Sequence, residues 1–237
     1  MSSFNAKTLP APPSKFKRAE PLDAGSYPAR LVQIVGMGTQ AQQPYKGEAK
    51  PPRLTMRLTY ELLDEFMKDD DDEDILDKPR WVSEDLALLS LSQDLATSTK
   101  RYYALDPEDT ADGDWVKLIG SPCIVTLVQS KDKRPGNDNI YNNVAGVSAM
   151  RPKEAAKAPV LVNPSLVWDF YAPDLEVFEK FPDWIKANIK AAVDYPGSAL
   201  EQALEGRGDA EPDKGSSKQE KAPAAGPDVG DGGDGDW

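Results

Sequence analysis

The stretch Arg53–Leu62 constrains the fold more than any other. Leu54, Met56, Leu58, Tyr60 and Leu62 alternate there with Arg53, Thr55, Arg57, Thr59 and Glu61. A period of two sends the first set to one side of an extended strand and the second to the other. The stretch is therefore a half-buried β-strand, with an apolar face for a core and a polar, cationic face for solvent. Such a strand needs neighbours, and the flanking sequence supplies them. Tyr27–Val35 reads as a strand opened by Ala24-Gly-Ser and closed by Gly36 and Gly38. Pro79–Ser83 reads as another, Cys123–Gln129 as a fourth rich in β-formers, and Ile140–Val147 as the last. Leu91–Leu105 has roughly helical spacing, with Ser90 or Ser92 placed to cap it.

Three strands, a helix and two more strands is the element order of a five-stranded OB-type β-barrel. The expected fold class is mainly β with added helices: the barrel, a C-terminal helical extension and a disordered acidic tail. Residues 1–22 form a flexible basic arm, broken by Pro10, Pro12 and Pro13 and charged by Lys15, Lys17 and Arg18. Residues 23–151 form the barrel. Residues 152–205 are a linker, Pro152–Pro164, followed by helical segments. The better defined of these is Pro182–Val193, with Trp184 or Ile185, Ile189, and Ala192 or Val193 on one face. This helix packs on the barrel by default, and a partner or self-association surface is the alternative. Residues 206–237, rich in Gly, Pro, Ala, Ser and charge, are expected to be disordered.

Charge and missing residue types narrow the chemistry. There is no histidine, so the usual general base and the Ser-His and Cys-His pairs are unavailable. Cys123 is the only cysteine and reads as a small buried strand residue in a reducing compartment. The net charge is −12, but it is unevenly spread. Asp64–Asp77 holds nine acids and one lysine, and Asp209–Trp237 eight acids and three lysines; elsewhere 23 acids face 24 bases. The acidic run Asp69–Asp74 lacks EF-hand spacing and a glycine to shape a metal loop, so it reads as a solvated loop. A carboxylate–metal nuclease would need its acids on rigid elements. No enzyme activity, metal or cofactor is expected. No apolar run reaches the length of a membrane span and the start does not resemble a signal peptide, so a cytoplasmic protein without membrane contact is expected.

Two constellations carry function. The first is basic and aromatic: Tyr45, Lys46 and Lys50 before the strongest strand, Arg53 and Arg57 on its polar face, Lys131, Lys133 and Arg134 in the loop between the last two strands, and Tyr141 after it. Cations of this kind neutralise phosphates, and aromatic rings stack on unpaired bases. The second is the C-terminus, where Asp231, Asp234 and Asp236 are spaced by glycine before a terminal Trp237. A flexible chain ending so presents an indole and a carboxylate to a basic-rimmed apolar pocket on a partner.

On these residues the chain resembles phage-encoded single-stranded-DNA-binding proteins of the OB-fold type. Asp231-Gly-Gly-Asp-Gly-Asp-Trp237 looks like their acidic, aromatic-terminated tails, although the last aromatic in that family is usually phenylalanine. Ala24–Arg30, Ile140–Val147 and Phe181–Lys190 are similar to segments of such proteins. The resemblance implies protection of single-stranded DNA in replication and recombination, in the host-cell cytoplasm. It also implies a tail that recruits a polymerase, helicase or primase. The alternative is an acidic protein-interaction or DNA-mimic module that does not bind DNA.

Overall fold

The computed structural model describes residues 19–44, 46–69, 71–132 and 138–208. Most of the basic arm, Tyr45, Lys133, Arg134 and the tail from 209 with Asp231, Asp234, Asp236 and Trp237 lie outside the described residues.

The protein is built on a mainly antiparallel, six-stranded sheet. Its strands are β1 (Gly25–Gln40), β2 (Arg53–Lys68), β3 (Asp74–Ala87), β4 (Pro122–Lys131), β5 (Ile140–Ala149) and a short β6 (Leu166–Trp168). The strand order is β3-β2-β1-β4-β5, with β6 lying parallel to β1. β1 organises the sheet. It pairs with β2 from Ala29–Leu62 to Gln40–Arg53, and with β4 from Gly25–Leu127 to Arg30–Pro122. The sheet is not closed by hydrogen bonds, although β3 and β5 approach within 8 Å. Helix α1 (Thr97–Leu105) packs against β3, β4 and β5.

The alternation in β2 predicts four of its five inward residues; Leu54, at the strand's start, is exposed instead. Met56, Leu58, Tyr60 and Leu62 enter a first core with Leu31 of β1, Val82 and Leu86 of β3, Tyr102 of α1, and Cys123, Val125 and Leu127 of β4. Within it the Arg101 guanidinium donates to both oxygens of Glu84 at 2.8 and 3.0 Å, and the Tyr60 hydroxyl donates to Oε1 of the same carboxylate. This pairing satisfies a buried charge that would otherwise be costly. Cys123 is fully buried, as its place in a strand implies.

A second core lies on the opposite side of β1. Val35 and Met37 meet Trp168 and Phe170 there, together with α3 (Leu175–Lys180), α4 (Asp183–Lys190) and α5 (Ala199–Gly208). Ile185, Ile189 and Ala192 supply the buried face of α4 and its end, so this helix packs on the sheet. Val193 does not share that face and is 56% exposed.

Several expected boundaries move. Gly36 and Gly38 do not close β1, which runs through both to Gln40. Gly38 takes φ +72°, and a Cβ there would lie 2.8 Å from Cβ of Ala192. The glycines mark a register irregularity and a close approach of the extension rather than a strand end. α1 begins at Thr97 rather than near Leu91, because residues 90–96 form turns closed by Gln93 and Ala96 N–H donating to Ser90 and Gln93. Ser90 and Ser92 cap nothing; the residue before the helix is Ala96. Asp69 does sit in an exposed turn, its carboxylate accepting from the N–H groups of Asp71 and Glu73, but Asp74 already belongs to β3. Disorder was expected from Gly206, yet α5 continues to Gly208.

Candidate functional site

The polar face of β2 is expected to meet solvent, but the structure buries it. Thr55, Arg57, Thr59 and Glu61 retain 8%, 7%, 4% and 1% of their exposure. Two pieces of the C-terminal extension cover them. Over Arg57 lies the indole of Trp184, 4.4 Å from the guanidinium carbon, while Asp85 of β3 takes Nη1 with both carboxylate oxygens at 2.9 and 3.1 Å. Arg57 is thus a buried cation, stacked and ion-paired, and not the solvent-facing group that the alternation implies. The indole Nε1 of Trp184 is itself buried with no hydrogen-bond partner among the described residues, so the ring contributes its face and not its donor.

Over Glu61 lies part of Pro152–Pro164, the segment expected to be a linker. Glu61 Oε1 accepts from the N–H of Val162 at 2.7 Å, and Oε2 from the N–H and side-chain amide of Asn163 and from Trp81 Nε1. Directly across the β1–β2 ladder, Arg30 holds the same segment by its carbonyls, donating to Ala158 and Pro159 as well as Gly120. A cation reading C=O groups and an anion reading N–H groups, side by side, fasten residues 158–163 as a strap across the sheet. The one-turn helix α2 (Pro152–Ala155) leads into it. Sequence reasoning missed Arg30 and Glu61. The signal was present as two opposite charges on outward positions of adjacent strands, but only the register joins them.

The remaining candidates fall into two groups. Lys46 and Lys50 are exposed in the β1–β2 loop, and Arg53, partly buried, pairs with Gln40 at the C-terminal end of β1. Lys131 is exposed at the end of β4, and Tyr141 sits opposite Ser130 with its hydroxyl donating to Asp132 at 3.1 Å. β4 runs antiparallel to the N-terminal half of β1, so Lys131 lies beyond Gly25. The two groups therefore stand at opposite ends of β1 and do not gather on one side of β2.

At the second core, Asp194 ties the end of α4 to β1. It accepts from the N–H and hydroxyl of Thr39 and from the Tyr171 hydroxyl. Desolvation pushes its carboxyl up, but these three donors outweigh it and hold the group below the ordinary carboxylate value. Asp106, after α1, is lowered chiefly by the N–H of Ala111, with Thr110 assisting. Among the described residues no three His, Cys, Asp or Glu side chains are grouped to hold a metal ion, and no helix is long and apolar enough to cross a membrane. The chain matches no protein-family model, and the comparison with curated proteins returns no significant relative.

Proposed function

We propose that the chain is a sequence-tolerant single-stranded-DNA-binding protein with no covalent step. Its body would be an OB-type barrel, and its acidic tail would recruit replication proteins through Asp231, Asp234, Asp236 and Trp237. The observation that carries the reading is the element order. Three antiparallel strands, a helix and two antiparallel strands are organised by a long β1 that pairs with both β2 and β4. This is the connectivity of OB-type barrels, which commonly grip single strands. The sequence between β1 and β2 carries Lys46 and Lys50, and that between β4 and β5 carries Lys133 and Arg134, cations that either end of the sheet can offer to phosphate.

The deciding experiment titrates a fluorescent dT oligomer with full-length protein, and with protein lacking Asp228–Trp237, across salt concentrations. If five phosphates are neutralised, log affinity falls against log salt with a slope of about −3.5. Removing the tail preserves or tightens binding, because a tethered anionic segment competes with phosphate at high effective concentration. A chain that shows no salt-dependent binding to the oligomer is instead the acidic interaction or DNA-mimic module that the −12 charge favours.

A further inference from the structure

Acid is absent from one half of the sheet. β1, β4 and β5 contain no Asp or Glu, in a chain that has 40, whereas β2 and β3 contain seven. Low strand propensity of acids does not explain this, since β2 and β3 tolerate them. The register shows what the acid-free strands present. Cys123, Val125 and Leu127 point into the first core, so Ile124, Thr126, Val128 and Ser130 point outward. Opposite them on β5 stand Ser148, Gly146, Asn143 and Tyr141. The side chains bond among themselves, Ser26 with Thr126 at 3.2 Å and Asn143 donating to Ser130 at 2.6 Å. Val128 is 43% exposed.

Each end of this strip carries exposed lysine together with a carboxylate. At the hairpin end stands exposed Lys131, next to Asp132, whose carboxylate accepts from the Tyr141 hydroxyl at 3.1 Å. At the other end the strip runs into a groove of about 470 Å³ between the sheet and α2. Pro28, Ile124 and Met150 form part of its apolar wall, and Lys153 and Lys157 stand at its rim. Its anionic members are Asp64 and Glu154, and desolvation pushes the Asp64 carboxyl up, toward the neutral form.

We propose that a single strand of nucleic acid runs along the outer face of β4 and β5, from Lys131 to the groove beside α2, rather than across β2. The proposal rests on the DNA-binding reading and gives it a path. Phosphates are drawn to the cations at the two ends and meet no carboxylate on the strands between them. Bases lie on Val128 and Tyr141 and against the apolar groove wall, while hydroxyl and amide side chains offer hydrogen bonds without charge. Ten residues of β4 extend about 33 Å. That length suits a site within the ~4–16 nucleotides typical of one such domain.

The test uses full-length protein and a fluorescent dT oligomer at low salt. Val128→Asp and Asn143→Asp each place a carboxylate on the strip without entering the core, and Lys131→Glu reverses the hairpin end. Lys100→Glu, an exposed change on α1, is the control for net charge. The expected result is at least tenfold weaker binding for Val128→Asp and at least threefold for each of the other two strip variants, with Lys100→Glu within twofold of wild type. Thermal melts confirm that each variant is folded; should Val128→Asp melt early, Asn143→Asp and Lys131→Glu decide. Wild-type binding with unchanged affinity in the strip variants overturns the path and leaves the DNA-binding reading standing. Equal losses in Lys100→Glu and the strip variants also overturn the path, since net charge alone would explain them. A wild-type chain that does not bind the oligomer overturns both.

Discussion

The outer faces of β2 and of β4–β5 belong to one sheet and have met opposite fates. That of β2 carries Arg57 and Glu61 and looks, by composition, like a surface made for ligands. It is sealed by Trp184 and the strap, and each of these charges has a partner within the chain. That of β4–β5 carries hydroxyls, amides and one half-exposed valine, and is left open. Charge on a strand face does not by itself indicate a binding surface. A charged group flanked by opposite charges from neighbouring elements serves to fix the chain. A neutral face framed by distant cations remains available for a polyanion.

The largest effect that separates the two faces is expected at Glu61. Replacing it by Ala strands the N–H groups of Val162 and Asn163, the Asn163 amide and the Trp81 indole donor, which all converge on its carboxylate. Orphaned donors cost ~1–3 kcal/mol each when buried, and solvent can reach part of the strap, so a loss of about 3 kcal/mol in urea unfolding is expected. Hydrogen exchange should show residues 158–163 losing protection first. A loss below about 1 kcal/mol, with the strap still protected, would mean that Arg30 and packing hold it unaided.

Next in size is Arg57→Ala. It removes the stack on Trp184 and leaves Asp85 without its cation. The Asp85 side chain is 44% exposed, so water screens much of the pair, and about 1–2 kcal/mol of stability is expected to go. Affinity for a dT oligomer should stay within twofold of wild type in the same protein. A tenfold loss of affinity in a folded Arg57→Ala variant would erase the distinction between the faces, because it would make the sealed one the working one.

How much of this was legible in the sequence follows from the range of each interaction. The period-two pattern of β2 predicts most of its inward residues because alternation is local geometry: Met56, Leu58, Tyr60 and Leu62 reach the core, while Leu54 lies exposed at the strand's start. It cannot predict the cover on the other face. That cover comes from Val162, Asn163 and Trp184, about a hundred residues away or more, and only long-range packing brings them there. For the same reason Gly36 and Gly38 read as a stop: the sequence shows a missing side chain, and only the fold shows Ala192 filling the space beside Gly38. β6 has three residues, too few for any period to show. The basic loops were legible as loops. Their placement at opposite ends of β1 depended on the register of β4, which no local pattern encodes.

Acid offers the finest separation of the two faces. Asp194 fastens the covered side through Thr39 and Tyr171, whereas the strands of the open strip hold no carboxylate to titrate. Its folded value lies below the unfolded 3.8, so its contribution is complete above pH 3.8 and disappears as the pH falls through the lowered value. Asp106 behaves alike, through Ala111 and Thr110. Asp85 acts in the opposite sense: desolvation raises it against the pull of Arg57, so it takes its proton earlier, and that protonation favours the folded state. Amide exchange followed from pH 5 to well below pH 3.8 should therefore show Thr39 and Val193, which are joined by a 2.8 Å backbone bond, losing protection ahead of the β4–β5 ladder, with the change confined to the range below pH 3.8. In Asp194→Asn the Thr39–Val193 pair should already be weakened at pH 5 and change little further on acidification. Exchange in the β4–β5 ladder that rises in step with that of Thr39 would show the sheet responding to acid as one unit, and the two faces would then differ in cover but not in what holds them.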